Sequence, residues 1–202
     1  MKKVGIINCS TNNLFSINNI IKELGYNTIV SDDKKDLERC DYLILPGVGA
    51  FFEAKKKLNE KKLDFLIYEF IKKGNLFLGI CLGFQLLFEE SSEFKKTKGL
   101  DLIKGKILPF ESKNKIVPHV GWNKVINIKN NLIDKTKNKF YFIHSFYANE
   151  VNENNILFKT KYYDLEFCSG VNKENIYGFQ FHPEKSGLNG FNLLNKVLKD
   201  FK

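Results

Sequence analysis

The segment Gly79-Ile80-Cys81-Leu82-Gly83 strongly constrains the fold, because it joins an apolar run at residues 76–78 to a helix-like stretch at residues 84–90. A sharp strand-to-helix turn needs small residues two positions before and two after its central residue, since side chains there would collide with the turn. Gly79 and Gly83 meet this need. The pattern therefore predicts a strand, a tight turn that presents the Cys81 side chain, and a helix.

Apolar strands and amphipathic helices alternate through the rest of the first half. Strands are predicted at residues 4–8, 27–31, 42–45 and 76–80, and helices at residues 14–24 and 53–73, which end at Gly25 and Gly74. Continuous apolar strands between such helices indicate a parallel sheet covered on both faces. Residues 100–181 instead show short strands, as at 141–143, 156–158 and 177–179, before a final helix at 190–201. We predict one α/β domain over residues 1–202, with a mostly parallel sheet flanked by helices and additional antiparallel strands in the second half.

Composition excludes several classes of function. The net charge of +9 comes almost entirely from lysines, and Arg39 is the only arginine. Nucleic-acid readout depends heavily on arginine, so a solvated lysine surface is the better interpretation. The four cysteines form no CxxC pair and no zinc-like spacing. No metal or cofactor is predicted, and no GxGxxG loop follows the first strand. Without a signal peptide or an apolar run of about 20 residues, we expect a cytoplasmic protein that binds neither nucleic acid nor membrane.

Cys81 could be a buried core thiol, but its flanking glycines favour a nucleophile. The helix that follows points its N–H groups at the sulfur and should favour the thiolate. Several Cys-dependent hydrolases share a GxCxG pattern, so a base is needed. His182 follows the apolar strand that ends at Phe181, and Glu184 comes two residues later. An extended His-Pro-Glu would place both side chains on one side, so that the carboxylate orients the imidazole. Cys81, His182 and Glu184 are thus predicted as nucleophile, base and orienting residue.

These motifs resemble those of the class I, triad-type glutamine amidotransferases. GICLGFQ surrounds Cys81, and FHPE contains His182. Three further segments, PGVGAF from Pro46, PHVGWN from Pro118 and YFIHSF from Tyr141, together with the extension FHPEKS, resemble the HisH family of glutaminase subunits of imidazole glycerol phosphate synthase. The resemblance implies a flavodoxin-like fold and the hydrolysis of L-glutamine to glutamate and ammonia, without a cofactor. It covers nearly the whole chain.

The resemblance also implies the residues that stabilise the reaction's oxyanions and bind its substrate. The N–H of Leu82 and a donor from the loop at Val48 and Gly49 would form the oxyanion hole, and a peptide flip near Val48 would close this hole until the partner is loaded. The residues implied to bind glutamine are Gly49, Gln85, Glu93, Ser145 and Phe146. Glu93 could pair with the α-ammonium of the substrate. His144 is expected to be a core or near-site histidine.

The implied partner is a HisF-type (β/α)8 cyclase in a heterodimer of histidine biosynthesis, which would use the ammonia to make imidazole glycerol phosphate and aminoimidazole carboxamide ribotide. The partner-facing residues would be Asn12, Asn13, His119, Trp122 and Lys185, although Trp122 could equally belong to the core. One loop departs from the family pattern: the chain has Asn8-Cys9-Ser10-Thr11-Asn12-Asn13 where a DYGxGN sequence is usual. The alternative is therefore a paralogue that supplies ammonia to a nucleotide-sugar N-amidotransferase of surface-polysaccharide synthesis. A catalytically silent regulator is disfavoured by the intact triad.

Overall fold

Two sheets and six α-helices make up the part of the chain that the computed structural model describes, which is residues 2–9, 14–111, 115–129 and 132–201. The helices are α1 (Leu14–Glu23), α2 (Lys34–Leu37), α3 (Phe51–Glu60), α4 (Leu63–Lys72), α5 (Leu82–Leu86) and α6 (Gly187–Asp200). The strands are β1 (Lys3–Ile7), β2 (Asn27–Ser31), β3 (Tyr42–Leu45), β4 (Leu76–Ile80), β5 (Glu90–Ser91), β6 (Thr97–Lys98), β7 (Lys106–Pro109), β8 (His119–Lys124), β9 (Ile126–Asn127), β10 (Lys139–His144), β11 (Phe146–Asn149), β12 (Ile156–Tyr162), β13 (Leu165–Lys173) and β14 (Ile176–Phe179).

Parallel strands form one half of the large sheet, in the order β2-β1-β3-β4-β14. Every residue of β3 and β4 is buried, as their continuous apolar sequences predict. Helices cover both faces: residues of α3 and α4 pack in one hydrophobic cluster with Phe77, and residues of α1 and α6 pack in the other with Leu78. The predicted α/β class with a mostly parallel sheet is confirmed.

Antiparallel pairing extends the sheet through the second half of the chain. β13 pairs with β14, and β11 and β7 follow it, while β12 and β9 branch from β13. β8 and β10 form a separate two-stranded sheet, with His119 opposite His144. The strand at 177–179, predicted among these short strands, instead joins the parallel half next to β4, where Phe179 pairs with Ile80. This placement brings the segment after β14 to the end of β4.

Two predicted helices differ from those observed. The helix after Cys81 is α5, which begins at Leu82 and stops at Leu86, and Glu90 belongs to a strand. It stops because the Leu86 carbonyl accepts a hydrogen bond from the N–H of Leu100, so the chain beyond cannot continue the helical ladder. The predicted helix at 53–73 is divided into α3 and α4 by Lys62, whose φ is 54°.

Candidate active site

Cys81 has a strained backbone conformation between β4 and α5. Its φ is 54° and its ψ is −105°, a region that residues with a Cβ avoid at a cost of about 1–3 kcal/mol. Two backbone hydrogen bonds hold it there. The Cys81 N–H donates to the Phe179 carbonyl at 2.7 Å, and the Cys81 carbonyl accepts from the Gln85 N–H at 3.0 Å. The sharp turn that the sequence predicts is therefore present, with the thiol at the end of the sheet.

There is no space for a side chain at Gly79 or Gly83, the glycines two positions before and after Cys81. A Cβ on Gly79 would lie 2.6 Å from the Gly83 carbonyl oxygen, which is the predicted collision within the turn. A Cβ on Gly83 would lie 1.7 Å from the Leu45 carbonyl oxygen. This second contact is with the neighbouring strand β3 and not with the turn itself. Both positions require glycine, one for a local reason and one for a tertiary reason.

His182 and Glu184 lie beside Cys81 because β14 pairs with β4. The distance from His182 Nδ1 to Glu184 Oε1 is 2.7 Å, and both side chains are buried. Burial lowers the pKa of His182, but the charge and hydrogen bond of Cys81, together with those of Glu184, raise it overall to about 10. An imidazolium held between a sulfur and a carboxylate is thereby favoured. The structure brings the three predicted residues together.

A short turn, and not an extended peptide, positions Glu184. The His182 backbone is extended, but Pro183–Lys185 forms a 3₁₀ turn, which brings the carboxylate back toward the imidazole. The His182 N–H donates to the Tyr141 carbonyl at 2.9 Å, and Ser186 Oγ donates to the His182 carbonyl at 2.6 Å. The expectation of an extended His-Pro-Glu was therefore wrong, because the proline begins the turn.

A cavity of about 420 Å³ opens beside Cys81. Its lining contains all of the residues predicted for glutamine binding and for the oxyanion hole: Val48, Gly49, Leu82, Gln85, Glu93, Ser145 and Phe146. These residues come from the segments after β3 and β4, from the loop after β5 and from the start of β11. Their convergence beside the Cys81 thiol is typical of a small-molecule site.

The loop after β3 occupies the predicted oxyanion hole. The Leu82 N–H donates to the Gly47 carbonyl at 3.3 Å. Because a trans peptide points its N–H away from its carbonyl, the Val48 N–H is directed away from Leu82. Gly49 has a φ of 109°, which glycine adopts readily. A second cavity of about 150 Å³ lies behind this loop, lined by Cys9, Val48 and Gly49 among others. In this conformation the Leu82 N–H is therefore not free to stabilise an oxyanion, and the predicted oxyanion hole is closed.

The amide of Gln85 and the carboxylate of Glu93 form part of the wall of the cavity, and the buried amide of Gln180 contacts Gln85. Gln85 Nε2 donates to the Phe146 carbonyl at 3.2 Å and to Gln180 Oε1 at 3.1 Å, while Gln180 Nε2 lies 3.9 Å from Cys81 Sγ. Glu93 Oε2 accepts from the Phe51 N–H at 2.6 Å, at the start of α3. Burial raises the pKa of Glu93, although the Phe51 hydrogen bond opposes this shift.

The predicted partner-facing residues have different environments. Trp122 is 55 % exposed, so the core alternative for this residue was wrong, and Lys185 is also exposed. His119 is only 3 % exposed, and its ring lies between those of Phe142 and Tyr162. A direct contact from the His119 ring to a partner would need a rearrangement of this packing. Asn12 and Asn13 lie outside the described residues. The partner-facing role of all five stays a prediction.

Some residues in or next to the cavity were not predicted from the sequence. Gln180 contacts Gln85 and Cys81 without lining the cavity, and a glutamine between two phenylalanines just before His182 was a sequence signal for it. Phe94, Pro118 and Ile143 line the cavity, but no sequence signal identifies them. His144, expected to be in or near the core, is buried and lines the cavity as well. Among the described residues, no group of three or more His, Cys, Asp or Glu side chains could hold a metal ion.

Comparison with known proteins agrees with this geometry. Residues 6–200 match the model of the family described as glutamine amidotransferase class-I. The imidazole glycerol phosphate synthase subunit HisH of Bacillus subtilis is 39% identical over 203 residues, which cover 97% of this chain and 95% of that protein. The HisH subunit of Chlorobaculum tepidum is 38% identical over 201 residues, covering 98% of each chain. The subunit HisH 2 of Methanococcus maripaludis is 41% identical over 201 residues, covering 97% of this chain and 98% of that one.

Solved structures share the fold. The structure of PurLQS from Thermotoga maritima aligns with a TM-score of 0.76 and 21% identity over 100% of both chains. A crystal structure of a glutamine amidotransferase aligns with a TM-score of 0.74 and 16% identity, covering 98% of this chain and 97% of that one. At these identities the likeness concerns the fold alone, whereas the family match and the relatives cover almost the whole chain. The chain therefore belongs to the class-I glutamine amidotransferase family and, within it, to the HisH family.

Proposed function

We propose that this protein hydrolyses L-glutamine to glutamate and ammonia and passes the ammonia to a HisF-type (β/α)8 cyclase in the cytoplasm. The cyclase would use it to form imidazole glycerol phosphate and aminoimidazole carboxamide ribotide in histidine biosynthesis. The observation that carries the proposal is the arrangement of Cys81, His182 and Glu184 beside a cavity whose wall contains Gln85 and Glu93. The names of the relatives support the pathway.

The reaction begins with attack of the Cys81 thiolate on the side-chain amide carbon of glutamine. The C–S bond forms, and the electron pair of the carbonyl moves to oxygen. His182 then gives its proton to the amide nitrogen, so that ammonia leaves as the C–N bond breaks. His182, now neutral, removes a proton from water as the water oxygen bonds to the thioester carbon; the C–S bond then breaks, which releases glutamate and restores the Cys81 thiolate and the protonated His182. Glu184 holds the imidazole through Nδ1 during both steps.

The closed oxyanion hole supports control of this reaction by the partner. Rotation of the Gly47–Val48 peptide would free the Leu82 N–H and turn the Val48 N–H toward the site, which supplies two donors to the oxyanion. The cavity behind the loop offers space for this movement. We infer that the resting rate is low and that binding of the loaded cyclase favours the rotated peptide. Each donor gained is worth about 3 kcal/mol, or about a hundredfold in rate.

An apolar surface near the cavity supports the partner assignment. We call it the β8/β10 face, and it consists of Val120, Trp122, Tyr141 and Ile143. Val120 pairs with Ile143 and Trp122 pairs with Tyr141 across the two strands. Val120, Trp122 and Ile143 are all exposed. Ile143 also lines the glutamine cavity, so a protein seated on this face would lie close to the ammonia that is released. Exposed apolar clusters of this kind mark protein interfaces.

The first experiment measures glutamate release by the purified protein with the cyclase from the same cell. We expect that Cys81→Ala abolishes release, whereas the matched control Cys40→Ala, which changes a buried thiol just after the short helix α2, retains it. Equal rates for Cys81→Ala and the wild type would refute the triad assignment.

The second experiment separates the two candidate partners. Glutaminase activity is measured with and without the cyclase and its ribotide ligand, and stimulation is expected only when both are present. Absence of a complex and of stimulation would refute the histidine-pathway assignment. The nucleotide-sugar amidotransferase, favoured only by the altered sequence from Asn8 to Asn13, would then be tested in the same way.

A further inference from the structure

Three polar side chains form a row from strand β8 to the wall of the glutamine cavity. Asn123 Nδ2 lies 3.3 Å from His119 Nε2, and His119 Nδ1 lies 3.0 Å from His144 Nε2. His144 Nδ1 in turn lies 2.7 Å from the Phe146 carbonyl oxygen. Both histidines are buried, so each contact must be satisfied within the protein. We call this row the β8 relay.

The direction of the hydrogen bonds in the relay follows from its inner end. The Phe146 carbonyl can only accept, so His144 Nδ1 must carry a hydrogen. Burial lowers the pKa of His144 to about 3 and that of His119 to about 4, which keeps both rings neutral near pH 7. A neutral imidazole has one N–H and one acceptor nitrogen. His144 Nε2 is therefore an acceptor, and His119 Nδ1 donates to it.

The outer end of the relay agrees with this direction. With its hydrogen on Nδ1, His119 has an acceptor at Nε2, which needs a donor. Asn123 supplies it, because the orientation of its amide is set by two other bonds. Asn123 Oδ1 accepts from the Lys124 N–H at 2.7 Å, and Nδ2 donates to the Lys161 carbonyl at 3.0 Å. Each polar group along the relay therefore has one consistent role, and all the bonds point toward Phe146.

The relay ends on a group that also forms the glutamine cavity. The Phe146 carbonyl accepts from Gln85 Nε2 as well as from His144, so two donors hold it. Its outer end lies on β8, where Val120 and Trp122 are exposed and His119 is buried. Stacking of the His119 ring at 3.9 Å from Tyr162 and 4.8 Å from Phe142 leaves it little freedom to rotate.

We propose that His119 and His144 are positioning residues for glutamine, because the bond from His119 Nδ1 to His144 Nε2 leaves the hydrogen of His144 on Nδ1, where it keeps the Phe146 carbonyl in place, and the Asn123 amide is compatible only with this direction. The proposal rests on the proposed glutaminase function for its kinetic consequence, but the tautomers themselves do not depend on it. The relay also connects the β8/β10 face to the cavity, because Val120 and Trp122 lie on the exposed side of β8 and His119 lies on its buried side. A partner that shifts β8 would thereby act on glutamine binding.

Asn123→Asp tests the direction of the relay. A carboxylate can only accept, so His119 would move its hydrogen to Nε2, and either the His119–His144 bond or the His144–Phe146 bond would be lost. Asn123→Leu is the matched control, because it removes the donor without reversing the direction. The chain has three histidines, so ¹⁵N spectra of their side chains can report each tautomer separately. We expect the Nδ1–H form of both relay histidines in the wild type and in Asn123→Leu, and a changed form in Asn123→Asp.

The kinetic readout is the KM for glutamine against kcat, measured with the cyclase complex. Asn123→Asp should raise KM about tenfold, as expected for one lost hydrogen bond, and should change kcat by less than about threefold. Asn123→Leu should change KM by less than about threefold.

Two outcomes would refute the relay. One is that Asn123→Asp changes neither the histidine tautomers nor KM, and the other is that Asn123→Leu raises KM as much as Asn123→Asp does. If Asn123→Asp fails to fold, His119→Phe keeps the stacking and breaks both bonds, and an unchanged KM would then refute the proposal. A wild type without glutaminase activity would instead refute the proposed function, and the wild-type spectra would still test the relay.

Discussion

Replacement of Glu184 by glutamine removes the charge beside His182 and keeps the shape of the side chain. The carboxylate lies 2.7 Å from His182 Nδ1 in a buried site, where solvent screens the interaction little. A hydrogen bond to a charged partner contributes about 1.5–3 kcal/mol, against about 1 kcal/mol for a neutral one. The difference of about 0.5–2 kcal/mol corresponds to about one pKa unit. We therefore expect the pKa of His182, which is raised to about 10 in the wild type, to fall by about one unit in Glu184→Gln.

The sign of the pH effect follows from the raised pKa. The protonated imidazole is present below about pH 10 in the wild type and is lost as the pH rises through that value, and Glu184→Gln moves this loss to lower pH. The assay is a ¹⁵N titration of His182, combined with kcat, which should fall at least about tenfold. Glu174→Gln, in the exposed turn before β14, is the control and should leave both unchanged. A midpoint in Glu184→Gln that equals or exceeds that of the wild type would refute the reasoning.

Three further changes have expected outcomes. Gly83→Ala places a Cβ 1.7 Å from the Leu45 carbonyl oxygen and should lower the free energy of unfolding by at least about 3 kcal/mol. Gly25→Ala, at a φ of 86° in open space, should lower it by only about 1–2 kcal/mol, and equal losses in urea denaturation would contradict the clash. Glu93→Gln should raise the glutamine KM about tenfold in steady-state kinetics, and an unchanged KM would argue against its contact with the substrate. Trp122→Ala should weaken cyclase binding at least about tenfold by calorimetry with little change in Tm, and unchanged affinity would exclude it from the interface.

Local chemistry determined the parts of the fold that the sequence could predict. Residues 27–31, 42–45 and 76–80 were predicted as strands with the observed bounds, the last two because continuous apolar runs that begin after a polar residue leave few alternatives. The turn at Cys81 was predicted because any side chain at position 79 would collide with the turn itself, so glycine is needed there. The end of α5 was not predicted, since it depends on the N–H of Leu100, which is distant in sequence.

The candidate site also combines features that the local sequence predicts with features that depend on contacts between distant residues. Pairing of Cys81 with His182 depends on β14 lying next to β4, a contact between residues about 100 positions apart that no local pattern encodes. The resemblance to a known family supplied this information, and the structure brings the two segments together. The residues alone do not predict the orientation of the Gly47–Val48 peptide, and only the resemblance implied that the predicted oxyanion hole is closed. The β8 relay was not predicted because it depends on the pairing of β8 with β10, which places His119 opposite His144.

The placement of Cys81 and His182 after neighbouring parallel strands has a consequence for protein engineering. Their separation is determined by the spacing of strands in a sheet, about 4.8 Å, and does not depend on the length of any surface loop. The β8/β10 face belongs to a different sheet. A graft that replaces Val120 and Trp122 while retaining Ile143, which lines the cavity, would therefore change the surface offered to an acceptor enzyme without changing the distance between Cys81 and His182.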